Sequence, residues 1–517
     1  MIDGGSHVKV PLTIRDYIDR AVTVYPDRVA VIDEPDQPAQ SWGSLTYREM
    51  FDRAQAQAAR LDELGIGPGE RVAMVSHNSA RLLTAFWGVS YWGRIFVPIN
   101  FRLNAAEITY ILEHSGASMV LIDPELEDDL KEVDHPRKVI MGEESDREVY
   151  LEGVEPVEWE PDEDATATIN YTSGTTARPK GVEQTHRSLW VNAATFGWQA
   201  GVTDRDVYLH TLPMFHCNGW GMPYALAGMG ATNIVIRQID GAEILRRIDE
   251  HGVTLMCGAP AVVTAILDAA PDFRPVPGSG TNRMVVAGAP PPTSTIARME
   301  TDLGWEFIQI YGLTETAPLL TMNRGRAEYD DLTPEARAAK LGRAGAPALG
   351  VRTAVDEEGE ILARSNVVLK SYWEQPEATA EAVRDGWFHT GDGGIIDEES
   401  YVSIQDRKKD VIISGGENVS SIEVEDVMFA HPSVAEVAII GVPDEKWGET
   451  VKALVVLAPG AEASDRELID HCRSQLSHYK CPTSVDFREE LARTATGKLQ
   501  KFKLRQPFWE GRDKLIN

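Results

Sequence analysis

At 517 residues the chain is too long for one ordinary hydrophobic core, so two or more domains are expected. Hydrophobic residues make up 43% and charged residues 25%, the balance of a globular protein. A formal charge of -30 argues against nucleic acid as a partner, because that polyanion is held by Lys and Arg.

The opening stretch MIDGGSHVKVPLTIRDYI has no basic segment followed by an apolar run and a small-residue cleavage site. No apolar run approaches the length of a bilayer span. Cys217, Cys257, Cys472 and Cys481 show neither metal-ligand spacing nor a disulfide framework, which fits a reducing compartment. A soluble, cytoplasmic protein is expected, with a homodimer left open.

From about residue 70, β-branched runs alternate with helical patterns. RVAMVS reads as a strand, ARLLTAFWGVSYWG as a helix with Leu82, Phe86 and Val89 on one face, and IFVPIN as the next strand. Ile108, Ile111 and Leu112 then share a helical face, Gly116 suits a helix terminus, and ASMVLI follows as a strand. The alternation continues through ATNIVIR, GAEILRRIDEHG, VTLMCGA and NRMVVAGAP. It predicts an α/β protein whose large N-terminal domain, residues 1–405, has several layers with helices covering parallel sheets. Ligands in such folds gather outside the carboxyl ends of strands.

The stretch YTSGTTARPKG, residues 171–181, concentrates glycines, hydroxyls and cations. Glycine allows close backbone approach, exposed amides in a turn make an anion nest, and Lys180 adds a point charge. Phosphate is the natural guest, although Pro179 before Lys180 and Gly181 after it break the Walker pattern.

After about residue 405 the register changes. VIISGGENVSSIEVEDVMFAHP reads as strand, glycine turn and helix, with Ser420 and Glu423 as a capping box. VAEVAIIGV and VKALVVLA follow as strands, and Ser464 with Glu467 caps a helix that turns Leu468, Cys472 and Leu476 inward. A small C-terminal α/β domain, residues 406–517, is expected.

Taken in order, YTSGTTARPKG, IYGLTET, GWFHTGD, DRKKD, SGGENV and ARTATGK resemble the adenylate-forming superfamily of acyl-CoA synthetases, peptide-synthetase adenylation domains and luciferases. The resemblance covers nearly the whole chain, and PMFHCNGWG with ISGGENV is most similar to fatty acyl-CoA synthetases. Ala177 and Ser400 stand where that family usually has glycine.

The resemblance implies two half-reactions: a carboxylic acid and ATP give acyl-AMP and pyrophosphate, then coenzyme A displaces AMP to form a thioester. It implies that Thr172, Ser173, Gly174, Thr175, Thr176 and Lys180 cradle the β and γ phosphates, and that Lys498 bridges the acid carboxylate and the α-phosphate. It makes Glu315 a Mg²⁺ ligand, with Thr314 beside it on the nucleotide. Asp392 and Arg407 hold the ribose, while Tyr311 stacks on adenine against Gly288, Ala289 and Pro290. Gly415 and Gly416 pass the pantetheine arm of coenzyme A. Phe215, His216 and Trp220, with Ala287, Gly288, Gly312 and Leu313, line the acid pocket, His216 as a gate rather than a base. Rotation of a mobile small domain about Asp406 alternates the two halves.

Alone, each of these residues has a plainer reading: Lys498 a solvated side chain, Glu315 a helix cap, Tyr311 core packing, Gly415 and Gly416 a turn. Six motifs in order outweigh them. The expected activity is ligation of a medium- or long-chain fatty acid to coenzyme A. The alternatives are an aryl or short functionalised acid, or transfer of the activated acid to a carrier protein or amine. A nucleotide sensor is disfavoured by the joint presence of Lys498, Glu315, Asp392 and Arg407, and the motifs say nothing of an oxygenase step.

Overall fold

The computed structural model describes residues 9–172, 179–289, 291–407, 412–414, 417–444, 447–493 and 499–510, excluding the side chains of residues 406, 407, 417, 418 and 448. Among the described residues the strands form four sheets, of nine, seven, five and five strands.

The seven-stranded sheet contains the first predicted alternation. Strand Arg71–Val75 pairs in parallel with Ile95–Ile99 on one side and Ala117–Ile122 on the other. Helix Ala80–Ser90 connects the first two, and every one of its residues is buried rather than one face alone. The helix lies between sheet and helix Tyr47–Glu63, so both its flanks are covered. Asn104 caps the next helix with a full capping box, and Gly116 ends it at φ +60°, as its sequence position predicts. The nine-stranded sheet carries parallel strands Leu255–Gly258, Arg283–Val286 and Glu306–Gly312 side by side. ATNIVIR contributes a shorter strand than its composition suggests, Thr232–Ile234. The fold is therefore mixed α/β, as expected.

A smaller antiparallel sheet follows, in which strand Trp387–Ile396 lies between Glu360–Arg364 and Val402–Arg407. Ser400 turns the last hairpin at φ +66°, the left-handed region where glycine costs less. The final sheet is built on Val434–Asp444 paired with Gly448–Leu457, with helices Ser421–Phe429 and Asp465–Gln475 against it. Its core holds Val424, Ile439, Ala453, Leu468 and Cys472, with Leu476 partly buried at the edge.

Ser464 and Glu467 form the predicted capping box. Ser420 makes only half of one. Its hydroxyl accepts from Glu423 N at 3.4 Å, but Lys480 Nζ reaches both Glu423 carboxylate oxygens at 2.8 and 2.7 Å. An ammonium is a stronger partner for that carboxylate than a backbone amide.

Candidate active site

Three sheets meet at Tyr311–Glu315, where strand Glu306–Gly312 runs out at its carboxyl end. Toward the small antiparallel sheet, Tyr311 donates its hydroxyl to Asp392 Oδ2 at 2.8 Å. Toward the seven-stranded sheet, Gln184 Nε2 donates to the Thr314 carbonyl. Leu369 N donates to the Glu315 carbonyl at 2.7 Å, and the Tyr372 hydroxyl donates to Glu315 Oε1 at 2.9 Å. Backbone and side chain of Glu315 are thus held from two directions.

Lys180 and Thr172 lie opposite one another on the antiparallel strands Thr166–Thr172 and Lys180–Thr185. These strands bracket the glycine and hydroxyl loop. Ser173, Gly174, Thr175, Thr176 and the departure at Ala177 lie outside the described residues, as do Pro290, Gly415, Gly416 and Lys498. Lys180 Nζ sits 4.7 Å from the centroid of the Tyr372 ring, within cation–π range. Burial, and then the charge of Glu315, push the Tyr372 hydroxyl above its ordinary range, so it stays a neutral donor.

Gly288 and Ala289 follow strand Arg283–Val286, whose Val286 pairs with Gln309 two residues before Tyr311. That register brings the proposed adenine wall and Tyr311 to one end of the sheet. Gly288 is exposed at φ +94°. Asp392 is buried, and the backbone of Arg407 pairs opposite it. The Arg407 side chain is outside the description.

Asp356, Glu360 and His389 bring ligand atoms within 4.8 Å of one another on this sheet. Arg384 already supplies positive charge there, with Nε 3.0 Å from His389 Nε2 and Nη2 4.0 Å from Glu360. Glu360 Oε1 instead accepts from Gly391 N at 2.8 Å and braces the left-handed residue that precedes Asp392.

Trp220, one of the residues expected to line the acid pocket, lies on an unusual turn. Cys217, Asn218, Gly219, Trp220 and Gly221 have φ of 47°, 53°, 57°, 59° and 79°, a run of left-handed residues. Each L-residue there costs roughly 1–2 kcal/mol, least for Asn. Buried amides hold it: Asn170 Nδ2 donates to Asn218 Oδ1 at 3.2 Å, and Asn218 Nδ2 donates to Thr168 Oγ1 at 2.9 Å. Asn192 Nδ2 donates to the Trp220 carbonyl at 3.1 Å. Phe215 packs edge-on against Phe101 with centroids 5.6 Å apart. Phe215, Trp220 and Ala287 are buried, whereas His216 and Leu313 are half-buried.

The absence of a side chain at Gly312 has a nearer cause than pocket depth. A Cβ there would lie 1.6 Å from the Pro318 carbonyl oxygen. Sequence reasoning missed Tyr372, Gln184 and the asparagine ladder. No motif flags them, since their partners are distant in sequence.

Glu315, Thr314 and Thr172 offer carboxylate and hydroxyl oxygens, the hard donors that Mg²⁺ takes. The residues present therefore fit a magnesium ion carried on a triphosphate.

The AMP-binding enzyme family matches residues 18–373, and the AMP-binding enzyme C-terminal domain matches residues 423–498. The chain is 37% identical to 2-methylpropanoate–CoA ligase of Humulus lupulus, over 96% of this chain and 95% of that protein. It is 36% identical to the acetate/butyrate–CoA ligase, peroxisomal, of Arabidopsis thaliana, over 95% and 93%. Among solved structures, O-succinylbenzoate coenzyme A synthetase from Bacillus subtilis, in complex with ATP and magnesium ion, matches at a TM-score of 0.80 with 27% identity. That match covers 95% of this chain and 99% of the other.

Proposed function

The chain belongs to the AMP-binding enzyme family, and from that premise we propose that it is an AMP-forming acid–thiol ligase that joins a short aliphatic carboxylic acid to coenzyme A. The observation that carries the reading is the junction at Tyr311–Glu315, where Asp392, Lys180 and Glu315 are tied into one frame by Tyr311 and Tyr372.

In the first half-reaction an acid oxygen attacks the α-phosphorus of ATP and pyrophosphate leaves. Two anions must meet. At 4 Å their repulsion is about 1 kcal/mol in water and about 4 kcal/mol at an effective dielectric of 20, so a drying site needs cations. Lys498 supplies one between carboxylate and α-phosphate, and Lys180 faces the β and γ phosphates with Thr172, Ser173, Gly174, Thr175 and Thr176. Glu315 would hold a magnesium ion, which would supply further charge neutralisation when bound. Asp392 accepts from the ribose hydroxyls, a task suited to an ionised carboxylate, and Tyr311 holds Asp392 in place while its ring faces adenine between Gly288, Ala289 and Pro290. Arg407 reaches the same ribose.

In the second half the sulfur of coenzyme A attacks the acyl carbon, AMP leaves, and the thiol proton passes to solvent. Gly415 and Gly416 let the pantetheine arm pass, after the small domain turns about Asp406 to withdraw Lys498. The four buried, unpaired cysteines suit a reducing compartment, the cytoplasm in our reading.

One observation favours a short acid over the medium or long chain that the motifs suggest: both ligases matched above are named for acids of four carbons or fewer. The test is kcat/KM for pyrophosphate release across straight and branched acids from two to sixteen carbons. A maximum at five carbons or fewer is expected, and a maximum at eight or more overturns the short-acid reading.

A further inference from the structure

Tyr372 lies on a two-residue strand, Ser371–Tyr372, added antiparallel to Lys180–Thr185. Tyr372 stands opposite Val182, so Lys180, two residues away, is its diagonal neighbour on the same face. Diagonal neighbours are within reach of long side chains. The 4.7 Å approach of the ammonium to the ring centroid is the result. The neighbouring residues make the same join rigid: Lys370 N donates to the Glu183 carbonyl at 3.0 Å and Trp373 N to the Gly181 carbonyl at 2.7 Å. The Ser371 hydroxyl donates to the Glu183 carboxylate.

The ring is buried, and its hydroxyl points to the other side of the junction, donating to Glu315 Oε1 at 2.9 Å. One phenol therefore touches a cation of the phosphate hairpin and the carboxylate that follows strand Glu306–Gly312. It carries no charge, so it orders both groups without neutralising either. An Arg or a Glu in this place would pair with one of them and take its charge away from a ligand.

We propose that Tyr372 is a positioning residue for adenylation, its hydroxyl aiming the Glu315 carboxylate at the metal carried by ATP and its ring face seating Lys180 beside the phosphates. The proposal rests on the adenylation reading above. Groups that orient metal-binding side chains are typically worth about 10–100-fold in metal affinity or activity.

The test is binding of Mn²⁺ and ATP, without acid, followed by the paramagnetic resonance of free Mn²⁺, for wild type, Tyr372→Phe, Tyr372→Met, Glu315→Gln and each double variant with Glu315→Gln. Two Tyr372 variants are used so that the result does not depend on the folding of one. Both lack the hydroxyl, and only Tyr372→Phe keeps a ring for Lys180.

Affinity for Mn²⁺ in the ternary complex is expected to fall about tenfold or more in Tyr372→Phe. In the Glu315→Gln background the same change should cost less than twofold, because the hydroxyl acts through that carboxylate. Tyr372→Met should in addition weaken ATP without metal, since Lys180 has lost its seat. The melting midpoint without ligand should change by only a few degrees.

Wild-type Mn²⁺ affinity in Tyr372→Phe, or equal losses in both backgrounds, overturns the positioning role. So does a large fall in melting point with unchanged metal affinity. A wild-type protein that binds no Mn²⁺ with ATP overturns the adenylation reading itself, which separates the two failures.

Discussion

His186 begins helix His186–Ala200 and is fully buried, its ring 5.1 Å from that of Trp159. Among the described residues neither ring nitrogen meets a hydrogen-bonding group. Burial holds its pKa down to about 3, against 6.5 for a free imidazole. The unfolded chain therefore binds a proton below pH 6.5 that the folded chain refuses until about pH 3. The stability this group contributes is present above pH 6.5 and is lost as pH falls toward 3, at about 1.4 kcal/mol per pH unit. Buried His210, held down to about 4, acts in the same direction. Replacing His186 with Phe keeps the ring contact and removes one titrating group. Urea unfolding from pH 7 to pH 5 should show equal or higher stability for His186→Phe at pH 7, and an acid slope shallower by one proton. Identical slopes would mean that His186 is not buried neutral.

At the scale of elements, helix Thr293–Arg298 depends on a residue far along the chain. Pro292 offers its first turn no side-chain cap. Asp426, on helix Ser421–Phe429, fills that role: Thr293 N donates to Oδ1 and the Thr293 hydroxyl to Oδ2, each at 2.9 Å. The capped helix begins four residues after Ala289, so the cap joins the stretch proposed to wall adenine to the small domain. Rotation of the small domain would break it. A helix cap is worth about 1 kcal/mol, or roughly fivefold in an equilibrium between two arrangements. Asp426→Ala should therefore change the rate of acyl-AMP formation relative to thioester formation from supplied acyl-AMP by roughly that factor. Rates that scale together would show that the cap does not bias the alternation.

The same scale shows what the sequence made legible. Strands such as Arg71–Val75 and Ile95–Ile99 and helix Gly241–His251 lie where hydrophobic periodicity put them, because local spacing and burial agree there. The motif residues converge because Tyr311 and Glu315 lie at and just beyond the end of strand Glu306–Gly312, while Asp392, within strand Trp387–Ile396, accepts from the Tyr311 hydroxyl. The left-handed run Cys217–Gly221 was not legible. Local preference opposes it at Cys217 and Trp220, and the distant amides of Asn170 and Asn192, with Thr168, help to hold it. Tyr372 was hidden for a related reason. Its two partners are 192 and 57 residues away in sequence: strand register brings Lys180 to the ring, and Glu315 meets the hydroxyl from the turn beyond strand Glu306–Gly312.

For the whole molecule, the proposed function requires a chain of net charge -30 to bind the polyanions ATP and coenzyme A, which calls for cations gathered locally. Lys180 on its hairpin, Arg407 beside Asp392 and Lys498 in the small domain are the cations assigned to that task. Neither half-reaction can be run by one domain alone in this account. Among the described residues no helix is long and apolar enough to cross a membrane. The most direct test of the account is product analysis with ATP, Mg²⁺ and butyrate or 2-methylpropanoate, with and without coenzyme A, following pyrophosphate, AMP and thioester together. With coenzyme A, the three products should form in equal amounts over many turnovers. Without it, acyl-AMP and pyrophosphate should stop near one equivalent per enzyme. Sustained turnover without coenzyme A, or AMP released with no thioester, would contradict the ligase reading and point to a different acceptor for the activated acid.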